Sequence, residues 1–462
     1  MYQQLDFNAA LIRKYDTSGP RYTSYPTAQQ FTESFTTEDY IHAARTSNED
    51  AIPRPLSVYF HIPFCSTVCY YCACNKVVTK DRSRAEPYLA RLHREIELQS
   101  ELFDRDRDLL QLHIGGGTPT FISHAQMSGL INKLGQHFSL VSDSDAEYSI
   151  EIDPREASSE TIAHLRQLGF NRLSLGVQDL DERVQKAVNR VQPWQQTQRV
   201  IEDARKNDYH SLSLDLIYGL PFQTVHSFDV TLQNVIDWRP NRISVFNYAH
   251  MPHLFKPQRR IDEKDLPSPA EKLVILHHTI ERLLDAGYVY IGMDHFALPD
   301  DELAVAQRQG TLSRNFQGYA THSDCDLIAM GITAISKVCN TYSQNVKQID
   351  QYHQSLDNGV LPIFRGYRLT VDDQCRRQVI EDLMCQSRVV YDDYQFGFGI
   401  NFKDYFQREL QATQAMQDDG LVRLADNALE VLPAGRLLLR NICMVFDSHL
   451  TPNVEGRFSR VI

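Results

Sequence analysis

LSVYFHIPFCSTVCYYCAC, from Leu56 to Cys74, joins a short apolar run to four cysteines within ten residues. The opening LSVYFH (56–61) reads as a strand, rich in β-formers and bounded by a proline. Cys65, Cys69 and Cys72 then follow at a CxxxCxxC spacing. Thiolates are soft ligands suited to iron–sulfur clusters, and one compact loop lets three of them reach three irons of a single cubane. One iron is then left without a protein ligand. Cys74 supplies a fourth thiol, so an all-thiolate zinc site is the competing reading, although zinc ligands usually come as two separated pairs. For Cys74, in a C-x-C relation to Cys72, a donor role near a substrate and simple packing both remain open.

Working outward, short apolar runs alternate with amphipathic helical stretches, the pattern of repeated βα units on a parallel sheet. After LSVYFH the expected strands are LLQLHIG (109–115), AEYSIEID (146–153), NRLSLGVQ (171–178), HSLSLDLIYG (210–219) and NRISVFNY (241–248). A helix over 124–138 places Met127, Leu130, Ile131, Leu134 and Phe138 on one face, with Ser123 as its cap. Another from about Pro87 buries Leu89, Leu92, Ile96 and Phe103. Right-handed crossovers curl such a series into a closed or partly closed barrel whose functional face is the C-terminal ends of its strands. A helical segment over 270–287 precedes YVYIGMDHFA (288–297), a short strand and loop expected at the barrel's side. The expected organisation is an irregular N-terminal arm (1–50), the barrel (51–365) and a helical C-terminal domain (366–462), the last read from VIEDLMCQSRVV and YFQRELQATQAMQDDGLV.

The chain has 462 residues, 42% of them hydrophobic and 23% charged, enough for one large core and a smaller one. No stretch approaches the roughly 20 apolar residues that span a bilayer, and the N-terminus lacks a leader's apolar core, so a cytoplasmic protein with no membrane association is expected. Five of the nine cysteines are scattered over the C-terminal part, which is not a secreted disulfide framework and suits buried apolar fillers. A net charge of -12 argues against a nucleic-acid partner. An anionic substrate would need basic groups that converge only in the fold.

HIGGGTPT places Gly115, Gly116 and Gly117 after the second strand, either as a tight turn or as a place where backbone approaches a ligand amino group. Polar residues interrupt the later strand ends: Glu151, Gln178, Asp179 and Asp215. They would converge on the cavity beside the cluster, or pair with a core arginine such as Arg155 or Arg190. His61 is either a proton donor near the cluster or a strand-end residue satisfying a backbone carbonyl.

The cysteine loop resembles that of the radical S-adenosylmethionine (SAM) superfamily, which implies a 4Fe-4S cluster whose open iron is chelated by SAM and homolysis of the sulfonium to a 5'-deoxyadenosyl radical. GPRYTSYPTA, HIPFCxxxCYxCxCNK, GGGTPT, IEIDPRE, NRLSLGVQD, DLIYGLP, RISVFNYAH, IGMDHFA, RNFQGY and the terminal FSRVI together resemble, nearly end to end, the oxygen-independent coproporphyrinogen III oxidase family. That resemblance implies a monomer built as a partial TIM-like barrel of six βα units with an N-terminal arm and a helical C-terminal domain. It implies two SAM molecules, with Tyr59, Gly116, Glu151 and Ile335 at the positions that hold the one on the cluster. Tyr71, Gly117, Thr118, Gln178, Arg190, Asp215 and Ala249 match the positions for the second. Tyr71 stands where a Phe is familiar, and Ile114 where a Trp is familiar. The reaction implied is oxidative decarboxylation of the ring A and B propionates of coproporphyrinogen III to vinyl groups, giving protoporphyrinogen IX in haem biosynthesis. External electron donors and acceptors are implied, with Cys74 and His61 as the candidate catalytic groups and Arg21 as a candidate substrate arginine. Two rivals share the cysteine loop. A haem chaperone typically lacks both the fourth cysteine and the arm, and RNA-modifying radical enzymes usually carry basic domains that this chain does not.

Overall fold

The structure is a computed structural model that describes residues 5–450 apart from 145, 317, 323 and 324. The terminal FSRVI, and Gln317 of RNFQGY, lie outside the described residues. Two compact units interleave along the chain, one drawn from Phe31–Glu271 and Asp324–Arg368, the other from Met1–Gln30, Lys272–Ser323 and Leu369–Ile462.

In the first unit all six expected strands form, each within one residue of its expected ends: β1 (Leu56–Ile62), β2 (Asp108–Gly116), β3 (Glu147–Ile152), β4 (Arg172–Gln178), β5 (Ser211–Tyr218) and β6 (Arg242–Asn247). All are parallel to their neighbours. Four further strands extend the sheet beyond β1: β7 (Asp326–Met330), β8 (Ile335–Val338), β9 (Thr341–Asn345) and β10 (Ile363–Arg368), in the order β6-β5-β4-β3-β2-β1-β7-β8-β9-β10. β7 is parallel to β1, and the remaining three are antiparallel. This seventh parallel strand was not expected. It opens on Asp326, whose carboxylate receives Arg107 at 2.6 Å in a buried ion pair. Arg107 also donates to the Arg54 carbonyl and to Ser47 and Asn48, so the pair is fully hydrogen-bonded, as a buried charge must be.

Helices precede β1, fill the parallel crossovers and join β9 to β10. They are α1 (Thr37–Thr46), α2 (Ala85–Ser100), α3 (His124–His137), α4 (Ser159–Gln167), α5 (Trp194–Lys206), α6 (Val225–Trp238) and α7 (Ile349–Asp357). Ser123 caps α3 and Ser158 caps α4, each in a reciprocal capping box. Met127, Leu130, Ile131 and Leu134 form the buried stripe of α3, while Phe138 and Phe103 are buried just past their helix ends. α1 lies within the stretch expected to be irregular, and a Thr36–Asp39 capping box fixes its start.

A parallel sheet covered on both faces reads as near-continuous apolar sequence. Here the strands alternate instead. Val58, Phe60, Leu112, Ile114, Ile150, Leu175 and Leu214 are buried on one face. The opposite face is a polar lattice in which Tyr59 stands level with His113, His113 with Ser149, Glu151 with Ser174, Ser174 with Ser213 and Asp215 with Ser244.

The boundary expected after Arg365 falls inside β10, where Gly366 pairs with Ser343 and with Thr32. Residues 272–323 leave the expected barrel span for the second unit, where YVYIGMDHFA forms an antiparallel hairpin of Val289–Gly292 with His295–Ala297. There the arm is tied to the chain's other end. Arg440 donates to the Gly19 and Pro20 carbonyls, Asn441 to the Tyr15 carbonyl, and Tyr22 to Asp447. The C-terminal region is mainly helical but also holds a three-stranded sheet, because RVV (Arg388–Val390) leaves the helix Val371–Gln386 and pairs with Ala428–Val431.

Glu95 on α2 links that helix to the strand extension. Its carboxylate accepts from the Tyr352 hydroxyl (2.6 Å), the Gly331 amide (2.8 Å) and the Asn345 side chain (2.7 Å). Burial nevertheless raises its pKa from 4.5 to about 7, against these three donors. Between those values the folded protein keeps a proton that the unfolded chain has released, so stability falls as pH rises through the window. Glu95→Gln removes that slope in urea unfolding. It also lowers stability by about 1–3 kcal/mol, because its amide group turns a donor toward donors.

Candidate active site

The expected cluster, SAM and catalytic residues lie in the first unit, on its strands or in the loops between them. β1 feeds the cysteine loop, and Phe64–Cys65 pairs in parallel with Val77–Val78 to close it at both ends. The glycine turn packs directly on this loop. Gly117 donates its amide to the Ile62 carbonyl (2.8 Å) and Thr118 to the Phe64 carbonyl (2.8 Å). A Cβ on Gly117 would stand 2.7 Å from the Phe64 oxygen. Gly116, at φ +114°, would drive one into the His61 ring at 2.6 Å. These glycines therefore let the loop, His61 and Glu151 close together, and their amides are spent inside the protein.

Each of the three expected ligand sulfurs is faced by a donor. Thr118 Oγ1 lies 3.6 Å from Cys65 Sγ, and Arg155 and Arg190 each lie 3.7 Å from Cys69 Sγ. The Cys74 thiol donates to Cys72 and, with the Lys76 ammonium, holds the Cys72 thiol down to about 5 against burial. Burial pushes Cys65 up to about 11, so a metal there must displace its proton. Among the described residues no three His, Cys, Asp or Glu side chains draw together on a single ion. Three soft donors on one loop, each with a hydrogen bond available to a thiolate, fit an iron–sulfur cluster. Cys74 is the exposed one of the loop's four cysteines.

His61 uses both ring nitrogens. Nε2–H donates to the Asn75 carbonyl at 3.0 Å, and Nδ1 accepts from the Tyr59 hydroxyl at 3.1 Å. Burial lowers its pKa, which keeps the ring neutral near pH 7. Its first evident job is to hold the descending limb of the loop.

On the polar face, Glu151 accepts the Gly116 amide (3.0 Å) and stands 3.5 Å from His113. Burial opposes its ionisation, yet His113 and the amide hold its pKa below the ordinary value. His113 stacks on Tyr59 with centroids 5.8 Å apart and bonds Ser149 at 2.6 Å. Ile335 opens β8, and the register carried from Leu327–Lys337 puts it level with Ala329, the partner of Tyr59. Tyr59, Gly116, Glu151 and Ile335 thus share one side of the loop.

The other set gathers around Arg190, which donates to the Gly176 carbonyl (2.6 Å) and Asp153 (3.0 Å). Gly176 leaves room for both Arg190 and Gln178; a Cβ there would lie 2.9 Å from each. The Asp153 carboxylate helps keep Arg190 charged despite burial. Asp215 accepts from Ser174 at 3.1 Å, and burial lifts its pKa to about 6. Gln258, buried and distant in sequence, donates to the carbonyls of both Tyr71 (3.0 Å) and Ala249 (3.2 Å).

Two expectations change. Arg155 and Arg190 pair with Asp153, not with Glu151, Gln178 or Asp215. Asp179 is a structural anchor, accepting from the Asp181 amide and from Thr231 and Gln223. Arg21 forms an ion pair with Asp294 at 3.0 Å in the second unit. His113, Asp153 and Gln258 are the site residues that sequence reasoning missed. Asp153 had a local signal, as the cap of the turn at Pro154; Gln258 had none.

The sequence pattern of the Radical SAM superfamily matches residues 59–235, the span that carries the loop and the first five strands. The oxygen-independent coproporphyrinogen III oxidase of Pseudomonas aeruginosa is 54% identical over 462 residues, covering all of both chains. That of Escherichia coli K12 is 48% identical over 461 residues, covering 100% of this chain and 99% of its own. The solved structure described as coproporphyrinogen III oxidase from Escherichia coli, a radical SAM enzyme, superposes with a TM-score of 0.92 at 47% identity, over 97% of this chain and 100% of that one. The chain therefore belongs to the oxygen-independent coproporphyrinogen III oxidase family of radical SAM enzymes. Radical SAM enzymes use a 4Fe-4S cluster and SAM.

Serine at Cys65, Cys69 or Cys72 is expected to abolish the visible charge-transfer absorption of anaerobically reconstituted protein. Cys74→Ser retains it, and iron content per chain reports the same split.

Proposed function

We propose that this chain performs the anaerobic oxidative decarboxylation of the ring A and B propionates of coproporphyrinogen III to vinyl groups, giving protoporphyrinogen IX. The observation that carries this reading is that the relation spans the whole chain, Cys74 and the N-terminal arm included, where a shared cofactor alone would require only the barrel. Cys65, Cys69 and Cys72 hold the cluster, which when bound with SAM supplies a 5'-deoxyadenosyl radical. Tyr59, Gly116, Glu151 and Ile335 position the SAM on the cluster. Glu151, kept ionised by His113 and the Gly116 amide, suits an ammonium group. Tyr71, Gly117, Thr118, Gln178, Arg190, Asp215 and Ala249 hold a second SAM, Arg190 being the cation that meets a carboxylate.

Per propionate, that radical would take a hydrogen atom from the β-carbon, with loss of the carboxylate as carbon dioxide and of one electron to an external acceptor. A separate external donor reduces the cluster. Cys74, exposed on the loop, is the candidate catalytic group toward substrate, and His61 acts by fixing the loop at Asn75. The protein acts as a cytoplasmic monomer.

Anaerobic incubation of reconstituted protein with coproporphyrinogen III, SAM and reductant should yield protoporphyrinogen IX together with 5'-deoxyadenosine. Formation of neither, or stoichiometric haem retention without turnover, overturns the reading.

A further inference from the structure

A cavity of about 550 Å³ is lined by the turns that follow β2 and β3, residues of α3 and α4, Arg82, and Arg199 of α5. Its size is in the range of small-molecule sites. Three guanidinium groups line it, from Arg82, Arg155 and Arg199, against one carboxylate, Glu156. On a chain of net charge -12 that is a local reversal.

Two of the three cations are already engaged. Arg82 pairs with Glu156 at 2.7 Å and bonds the Phe121 carbonyl, and Arg155 pairs with Asp153 at 2.7 Å. Arg199 donates to the Ala157 carbonyl at 2.9 Å and meets no carboxylate among the described residues. Its charge faces the cavity rim unneutralised.

Two helices begin at the same cavity. α3 and α4 open there on Ser123 and Ser158, whose side chains cap the third amide of each helix. The earlier first-turn amides have no intrahelical partner, and two helix N-termini add partial positive charge to the guanidiniums. Thr120, 7% exposed, lines the cavity, and its hydroxyl has no hydrogen-bond partner among the described residues. The wall between the helices is a stacked pair, His124 on His164, with centroids 4.7 Å apart. His164 Nε2 is held by Ser128 and the His124 carbonyl, and His124 Nε2 by Thr161, so the stack is a fixed flat surface.

We propose that this cavity binds a phosphate-bearing small molecule up to the size of a nucleotide. Donors approach from two helix ends and from a separate guanidinium, an arrangement that suits the tetrahedral set of oxygens on a phosphate better than a planar carboxylate. Arg155 joins the site to the cysteine loop, since the same guanidinium stands 3.7 Å from Cys69 Sγ. The rest of the lining belongs to neither set of proposed SAM positions.

The test is calorimetric titration of reconstituted protein, kept anaerobic and saturated with SAM, with pyrophosphate, AMP and citrate in turn. Pyrophosphate and AMP should each saturate one site, with citrate weaker by about tenfold or more. Arg199→Gln, a change at an exposed helix position, should weaken pyrophosphate binding by about tenfold while leaving cluster absorption and SAM binding unchanged. Arg82→Gln should weaken it as well, and raised salt should weaken it steeply in the unaltered protein. The proposal is overturned by no saturable binding, by binding that both substitutions leave unchanged, or by citrate binding as tightly as pyrophosphate.

Discussion

Everything at this site depends on how closely one backbone can approach another. The glycine turn after β2 lies on the cysteine loop after β1 with two amide-to-carbonyl bonds and no space for a side chain at Gly117. That contact fixes the height of the loop above the sheet. With Phe64–Cys65 paired to Val77–Val78, and His61 bonding Asn75, the loop is anchored at its start and its return. Three cysteines could not otherwise be held at separate corners of one cluster, because a ten-residue loop without such anchors has many conformations to lose. The tightness also explains why Gly117 cannot be replaced even though it need touch no ligand: the cost is a collision with backbone, which has nowhere to relax.

The polar lattice is the second consequence of the same architecture. Strands packed on both faces ordinarily carry apolar residues throughout, yet here one face of each carries Ser, His, Glu, Asp or Arg. Such a face is affordable only where its groups bond one another, and the register provides this: His113 to Ser149 and Glu151, Ser174 to Asp215. The lattice is therefore a connected network. Its carboxylates differ accordingly, with Glu151 held ionised by His113 and an amide, while Asp215, with only hydroxyl donors, is lifted to about 6.

How legible this was from the chain varies with the physics behind each feature. The six parallel strands and the α3 cap were readable because period and capping are local. β7 was not, since its five residues lack a following amphipathic helix and its pairing with β1 spans about the whole barrel. The interleaving of the units was equally invisible: the contacts that tie Gly19 and Pro20 to Arg440 cross more than four hundred residues. Among site residues, cysteines and carboxylates announce themselves by chemistry. Ala249 and Ile335 came only through resemblance, because their roles rest on position and not on side-chain type. Gln258 shows the limit most clearly, for its function is to bond two carbonyls brought together by the fold.

The surroundings of Cys69 give a final constraint. Arg155 and Arg190 share the Asp153 carboxylate and both reach the Cys69 sulfur, and all three charged side chains are largely buried. Two guanidiniums against one carboxylate leave a surplus positive charge, which is costly in a buried setting. A thiolate at Cys69 makes the group of four neutral. The same reasoning assigns Asp153 a role that its distance from the sulfur hides. Were it a neutral residue, the two arginines would repel each other across Cys69, and the geometry that presents Arg190 to the polar face would be lost along with the pair.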